Sequence, residues 1–170
     1  MSPTVVLVGA PGAGKTTIGV LLAEHLGVAF RDVDHDIEAS AGKPISEIFV
    51  DDGEPAFRAL EVAAVAAALA SHDGVLALGG GAVLADATRA ALRGHRVVHL
   101  NVGLSDAAER VGLNTARPLL ALNPRATLRT LLAERAPIYA EVATIAVETD
   151  GREPADIVAD IVARLEEVPA

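Results

Sequence analysis

Cysteine and tryptophan are absent from this sequence, and aromatic side chains make up only 2% of its 170 residues. The lack of cysteine excludes a disulfide framework and any thiolate metal site, so packing alone must hold the fold together. The scarcity of aromatic rings excludes a surface on which several nucleobases could stack. Lysine is nearly as rare, because Lys15 and Lys43 are the only two among 14 basic residues. A lysine in this chain therefore needs a local chemical reason.

Positive charge and long apolar runs are also scarce. The formal net charge is -9, which argues against a nucleic-acid partner, since such a partner requires clustered Lys and Arg on one face. No apolar run reaches transmembrane length, and the N-terminus lacks the basic, apolar and small-residue order of a signal peptide. We therefore expect a cytoplasmic protein without a membrane partner. The length and the 51% apolar content predict one globular domain over residues 1–170.

The strongest motif present is GAPGAGKT at Gly9–Thr16. It fits G-x-x-x-x-G-K-[ST], the loop whose backbone N–H groups surround a nucleotide's phosphates. The apolar run Val5–Val8 precedes it, and apolar residues at helical spacing follow it up to Leu26. In this context Lys15 supplies a mobile positive charge and Thr16 a hydroxyl for Mg²⁺. The alternative is a glycine-rich turn that binds nothing.

Beyond this loop, short apolar runs alternate with helical patterns, which predicts a parallel, doubly wound α/β sheet. The predicted strands are residues 5–8, 28–34, 75–78, 97–100 and 142–147. One helix is predicted directly after the first loop. Further helices are predicted over residues 45–50, 54–71, 86–93, 128–137 and 154–165, and another begins near residue 105. Arg117 and Pro118 lie in an irregular stretch, which we interpret as a lid over about residues 112–124.

Three further groups of residues are candidates for ligand contacts. Asp32 and Asp34 would share one face of the second strand at its carboxyl end, although Asp34 could instead cap the next helix. Arg58 and Glu61 lie three residues apart on a helix, where a surface ion pair is the plain alternative. The run Gly79–Gly81 follows a buried strand, which indicates a ligand against bare backbone, or else a tight turn.

Taken together, the motifs resemble those of the shikimate kinase family over nearly the whole chain. The motifs are GAPGAGKTT at 9–17, DVD at 32–34, FRALE at 57–61, GGGAV at 79–83, RPLL at 117–120 and RAPIY at 135–139. The resemblance implies a P-loop fold of the nucleoside-monophosphate-kinase type, with a five-stranded parallel sheet flanked by helices and a mobile lid. It also implies a substrate-binding helical region over about residues 34–61.

The same resemblance implies an ATP-dependent phosphotransferase that phosphorylates the 3-hydroxyl of shikimate with Mg²⁺ in aromatic amino-acid (chorismate) biosynthesis, acting as a monomer. It assigns catalysis to Lys15, Asp34 and Arg117, and the metal to Thr16 directly and Asp32 through water. The implied nucleotide contacts are Gly12, Ala13, Gly14, Lys15, Thr16, Thr17, Arg110, Arg117, Arg152 and Pro154. The implied shikimate contacts are Asp34, Arg58, Gly79, Gly80, Gly81 and Arg135.

Two other functions stay open on the sequence. Another small-metabolite kinase, such as a gluconate kinase, would share the phosphate loop but would not need Arg58, Arg135 and the triple glycine together. A non-catalytic nucleotide-gated binding module would use the loop to hold ATP and the lid to signal to a partner.

Overall fold

The computed structural model describes residues 2–11, 13–103 and 124–167. Its strands are β1 (Val5–Val8), β2 (Phe30–Asp32), β3 (Val75–Ala77), β4 (Val97–Asn101) and β5 (Ile145–Glu148). Its α-helices are α1 (Lys15–Leu26), α2 (Val33–Ala41), α3 (Ile45–Asp52), α4 (Glu54–Ser71), α5 (Asp86–Leu92), α6 (Pro124–Val142) and α7 (Pro154–Glu167). A short 3₁₀ helix, Ala82–Leu84, separates β3 from α5.

The five strands form one parallel sheet in the order β2-β3-β1-β4-β5. This confirms the predicted doubly wound architecture. The strands β1 and β3 are buried throughout because helices cover both faces of the sheet, and their sequences are accordingly apolar without alternation. No helix in the described part of the chain is long and apolar enough to cross a membrane.

The strand register brings the candidate residues to one edge of the sheet. Leu7 and Asp32 both lie opposite Ala77, and Leu7 also lies opposite Val98. The segments that follow these residues therefore leave the sheet at the same level. Ligands of open α/β sheets bind at this carboxyl edge.

The prediction for the second strand is wrong beyond Asp32. The strand ends there, and α2 begins at Val33 with Asp32 as its N-cap. The Asp32 carboxylate accepts a hydrogen bond from the Asp34 N–H at 2.9 Å, which stabilises the first turn of the helix. Asp34 therefore lies in that first turn, neither on a strand nor in the capping position.

The other predicted elements agree with the structure apart from their ends. The helices 54–71 and 154–165 and the strand 5–8 begin at the predicted residues. Gly27 caps α1 with a φ of 68°, and its N–H bonds to the Ala23 and Glu24 carbonyls. The fifth strand begins at Ile145, three residues later than predicted, because α6 continues to Val142. The lid and the helix expected from near residue 105 lie outside the described residues.

Candidate active site

The phosphate loop joins β1 to α1 at the carboxyl edge of the sheet. Lys15, the first residue of α1, is half-buried and donates hydrogen bonds to the carbonyls of Gly9 at 2.7 Å and Ala10 at 3.1 Å. Its ammonium group therefore lies over the loop that would enclose a phosphate. A β-carbon on Gly9 would lie only 2.7 Å from the Leu100 carbonyl oxygen, so the close approach of β4 requires glycine there. Gly12 lies outside the described residues.

The start of α1 presents a hydroxyl to the end of β2. Thr16 Oγ1 lies 3.4 Å from Asp32 Oδ2 and donates to it. Burial raises the pKa of Asp32, and the neighbouring Asp34 carboxylate raises it further. The Asp34 N–H, Lys15 and Thr16 act in the opposite direction on that pKa. A partly buried carboxylate beside a second one and a hydroxyl is a set of groups to which an added cation would bind favourably.

We call Gly79, Gly80 and Gly81 the glycine wall, because their α-carbons face three different side chains across the site. A β-carbon on Gly79 would lie 2.6 Å from Asp34 Oδ1, and one on Gly81 would lie 2.5 Å from Arg58 Nη1. On Gly80 it would lie 2.9 Å from the Pro11 ring of the phosphate loop. Protein contacts therefore account for all three glycines, and the ligand contact predicted from the sequence stays a prediction.

Two arginines from distant parts of the chain converge on one buried carboxylate. Glu61 of α4 is 2% exposed, and Arg58 Nη1 donates to its Oε1 at 2.8 Å. Arg135 of α6, 4% exposed, is close enough for its charge to act on the same carboxylate. Burial raises the pKa of Glu61, while both guanidinium groups lower it. The site thus places the guanidinium groups of Arg58 and Arg135 close to the carboxylates of Glu61 and Asp34.

The alternative interpretation of Arg58 and Glu61 as a surface ion pair is wrong, because the pair does not lie on the surface. The pair forms, but Glu61 is buried, and Arg58 makes its exposed contact with Glu54 at 3.2 Å instead. Glu61 is the site residue that sequence reasoning missed. The signal was present, because Glu61 lies four residues after Phe57 and four before Val65, both on the buried stripe of α4.

The remaining predicted nucleotide contacts are only partly described. Ala13 is buried, Gly14 is the N-cap of α1, and Thr17 lies in the first turn of that helix. Arg152 donates to the Glu148 carbonyl at 2.9 Å and pairs with Asp160 at 3.1 Å, so it ties β5 to α7. Pro154 is the first residue of α7. Arg110 and Arg117 lie outside the described residues, and all these assignments stay predictions.

Replacing Glu61 by glutamine should make stability less sensitive to pH. A raised pKa means that the folded state binds more protons than the unfolded state above the ordinary value of 4.5. The stability contributed by protonated Glu61 is present below that value and is lost as pH rises through the folded-state pKa. We therefore expect the free energy of unfolding of Glu61→Gln, relative to wild type, to increase in urea titrations as the pH is raised from 4.5 through the folded-state pKa of Glu61.

Glu54→Gln is the matched control for this experiment. It removes a carboxylate charge from the exposed partner of the same arginine and leaves the buried pair intact. Parallel stability curves for wild type and Glu61→Gln across this pH range would contradict the effect of burial on Glu61.

The chain is similar in sequence to one family of known proteins over almost its whole length. The sequence model of the family described as shikimate kinase matches residues 11–166. A shikimate kinase of Salinispora tropica is 66% identical over 165 residues, which is 97% of this chain and 99% of that protein. One of Saccharopolyspora erythraea is 63% identical over 166 residues, which is 97% of this chain and 95% of its own.

A solved structure agrees with the sequence matches. The structure of shikimate kinase from Acinetobacter baumannii in complex with shikimate superposes on this chain with a TM-score of 0.93 and 37% sequence identity. The superposition covers 98% of this chain and 94% of that chain. The similarity therefore extends over the whole sheet and its helices.

Proposed function

Because this chain belongs to the shikimate kinase family, we propose that it transfers the γ-phosphate of ATP to the 3-hydroxyl of shikimate, giving shikimate 3-phosphate and ADP. The observation that carries the proposal is the convergence of Arg58, Arg135 and Asp34 beside the phosphate loop. Shikimate combines a carboxylate with ring hydroxyls. The site combines two guanidinium forks, which suit a carboxylate, with a carboxylate acceptor, which suits a hydroxyl.

The glycine wall connects the two halves of this reaction. Its middle residue packs on Pro11 of the phosphate loop, and its outer residues pack on Asp34 and Arg58. Gly80 is therefore in direct contact with the loop proposed for the donor, and Asp34 and Arg58, proposed for the acceptor, contact the residues on either side of it. Positioning of this kind is the main requirement for phosphoryl transfer, because the reaction needs little covalent participation by the protein.

Each charged group near the loop has a proposed role. Asp34 accepts a hydrogen bond from the 3-hydroxyl and so directs its oxygen toward the transferring phosphoryl group. Lys15 exchanges its hydrogen bonds to Gly9 and Ala10 for phosphate oxygens and neutralises the negative charge that develops on them. Arg117 of the predicted lid supplies a second positive charge to the same group.

Thr16 and Asp32 form a set that suits Mg²⁺. Hydroxyl and carboxylate oxygens are the ligands that this ion prefers, and it keeps several waters and phosphate oxygens besides one or two protein groups. The ion would be held by the Thr16 hydroxyl directly and by Asp32 through water. When bound, it would shield the phosphate charges. The pKa of Asp32, raised by burial and by Asp34, supports a cation there, because a cation offsets both effects.

The rest of the proposal concerns the nucleotide and the setting. The phosphates contact the loop from Gly12 to Thr17, and Arg110, Arg152 and Pro154 line the adenine. The whole chain from 1 to 170 acts as one domain, as a cytoplasmic monomer, with no nucleic-acid or membrane partner. Shikimate binds against Gly79, Gly80 and Gly81, between Asp34 and the arginine forks.

An assay of ADP release tests the function directly. We expect shikimate to accelerate ADP release from ATP well above the rate without acceptor, and gluconate to leave it at that background. Acceleration by gluconate alone would identify another metabolite kinase of the same fold. Tight ATP binding with no acceptor-dependent ADP release would identify a nucleotide-gated binding module instead.

A further inference from the structure

Tyr139 links the helix that carries Arg135 to the glycine wall. It lies on α6 one turn after Arg135 and is 2% exposed. Its ring stacks on His99 of β4, with 4.8 Å between the ring centroids and 28° between the planes. Its buried hydroxyl donates a hydrogen bond to the Gly80 carbonyl. A phenol that is otherwise part of the core therefore places its polar end on the candidate site.

The peptide unit between Gly80 and Gly81 is the central peptide of a turn that the Ala82 N–H closes on the Gly79 carbonyl at 3.1 Å. A turn closed in this way still allows its central peptide two opposite orientations. Neither residue has a β-carbon, so their own side chains do not limit rotation of the peptide plane. The described backbone has no cis peptide bonds, and in a trans peptide the carbonyl and the following N–H point in opposite directions. A hydrogen bond that fixes the Gly80 carbonyl therefore also fixes the direction of the Gly81 N–H.

The fixed peptide lies directly against a proposed substrate contact. The α-carbon of Gly81 packs on the Arg58 guanidinium, so rotation of this peptide would move the surface that supports Arg58. Because Arg135 and Tyr139 share one helix, the same hydrogen bond ties the Arg135 helix to the glycine wall, which Arg58 contacts. The Tyr139 hydroxyl thus links the segments that carry the two guanidinium groups.

We propose that Tyr139 is a positioning residue for the acceptor: its hydroxyl holds the Gly80–Gly81 peptide and the α6 arginine in the arrangement that recognises the acceptor's carboxylate. The inference rests on the proposed function, since it concerns binding of shikimate. Gly80 touches the phosphate loop at Pro11, but the hydrogen bonds of Lys15 and Thr16 go to Gly9, Ala10 and Asp32 and do not involve the Gly80–Gly81 peptide. The inference therefore predicts a larger effect on the acceptor than on the nucleotide.

Tyr139→Phe tests this role, because it removes the hydroxyl and keeps the ring against His99. We expect the KM for shikimate to rise about tenfold, which is the fold-change of one lost interaction of about 1.4 kcal/mol. The KM for ATP should stay within about twofold of wild type, and kcat within about threefold. The melting temperature should fall by a few degrees, because the Gly80 carbonyl loses a buried partner.

Thr144→Val is the matched control. The Thr144 hydroxyl accepts from the Val97 N–H and donates to the His95 carbonyl, each at 3.2 Å, beside the start of β5 and away from the carboxyl edge. This variant should also lower the melting temperature but should leave both KM values unchanged. Kinetics are read at a temperature where circular dichroism shows every variant folded.

The possible outcomes distinguish failure of the positioning role of Tyr139 from failure of the proposed function. An active wild type with an unchanged shikimate KM in Tyr139→Phe, or with equal rises in both KM values, would overturn the positioning role alone. A wild type without shikimate-dependent ADP release would overturn the proposed function, and the inference with it. A selective rise in the shikimate KM that Thr144→Val does not reproduce supports the inference.

Discussion

Lys15→Ala should lower kcat by about 10²- to 10³-fold or more while leaving the fold intact. The ammonium group bonds to carbonyls of its own loop and is half-buried at the first residue of α1, so its removal opens no hole in the core. In phosphoryl transfer the charge on the transferring group must be neutralised, and Lys15 is the side chain of the loop that can do so. The measurements are turnover by ADP release and thermal melting by circular dichroism.

Arg164→Ala provides the comparison for a lost positive charge. Arg164 is an exposed residue of α7 that pairs with Asp160 at 3.0 Å, and its removal should leave kcat near the wild-type value. If Lys15→Ala also turned over at close to the wild-type rate, the phosphate loop would not be the centre of this reaction.

Arg58→Ala and Arg135→Ala should each weaken shikimate binding while ADP binding barely changes. If both arginines grip the carboxylate, truncating either one costs about 2–5 kcal/mol, or about thirty-fold to several-thousand-fold in affinity. Arg135 is almost fully buried, and Arg58 is bonded to a buried carboxylate. Neither arginine can therefore be regarded as a solvated surface charge. Calorimetric titrations of shikimate and of ADP into each variant measure the two affinities separately.

Lysine variants distinguish the shape of the guanidinium from its charge. Arg58→Ala leaves Glu61 without its hydrogen-bonded partner, so part of its effect will appear as lost stability. Arg58→Lys and Arg135→Lys keep a positive charge next to the buried Glu61 carboxylate and remove only the planar guanidinium group. We expect these variants to melt closer to wild type and still to bind shikimate more weakly. Shikimate affinity within about threefold of wild type in both alanine variants would exclude the carboxylate clamp.

The parts of the molecule that were predictable from sequence are those specified by neighbouring residues. The phosphate loop carries its own signature, the strand before it is wholly apolar, and Gly27 marks the end of α1. Parallel topology then follows from the alternation of strands and helices. For this reason the sheet, most helices and the position of Lys15 could be predicted without the structure.

The error at Asp34 has a local cause as well. The alternation of residues 28 to 34 favours a strand, but the Asp32 carboxylate bonds to the Asp34 N–H and starts a helix two residues early. Two local preferences competed, and N-capping prevailed because the short strand had already reached the edge of the sheet. Asp34 still lies beside the glycine wall, so it stays a candidate ligand of the acceptor although it is not on the strand.

Glu61 illustrates what local patterns do not specify. Its position on the apolar stripe of α4 indicates burial, but the spacing of Arg58 and Glu61 does not show which distant groups surround the pair. The packing of α4 against α2 and the 3₁₀ helix, the position of Gly79 beside Glu61 and the approach of Arg135 from α6 make this pair part of the candidate site. Contacts between segments so far apart in sequence arise from the fold as a whole.

The glycine wall also determines how the enzyme could be redesigned for another acceptor. Pockets are usually reshaped by shortening or lengthening the side chains that line them, but Gly79–Gly81 offer nothing to shorten. A methyl group added at any of the three would lie 2.5 to 2.9 Å from an atom of Asp34, Pro11 or Arg58. Such a change would displace Asp34 or Arg58, the groups proposed to bind the acceptor, or the Pro11 ring of the phosphate loop. Changes of acceptor are therefore better sought on α2, α4 and α6 than in the glycine wall.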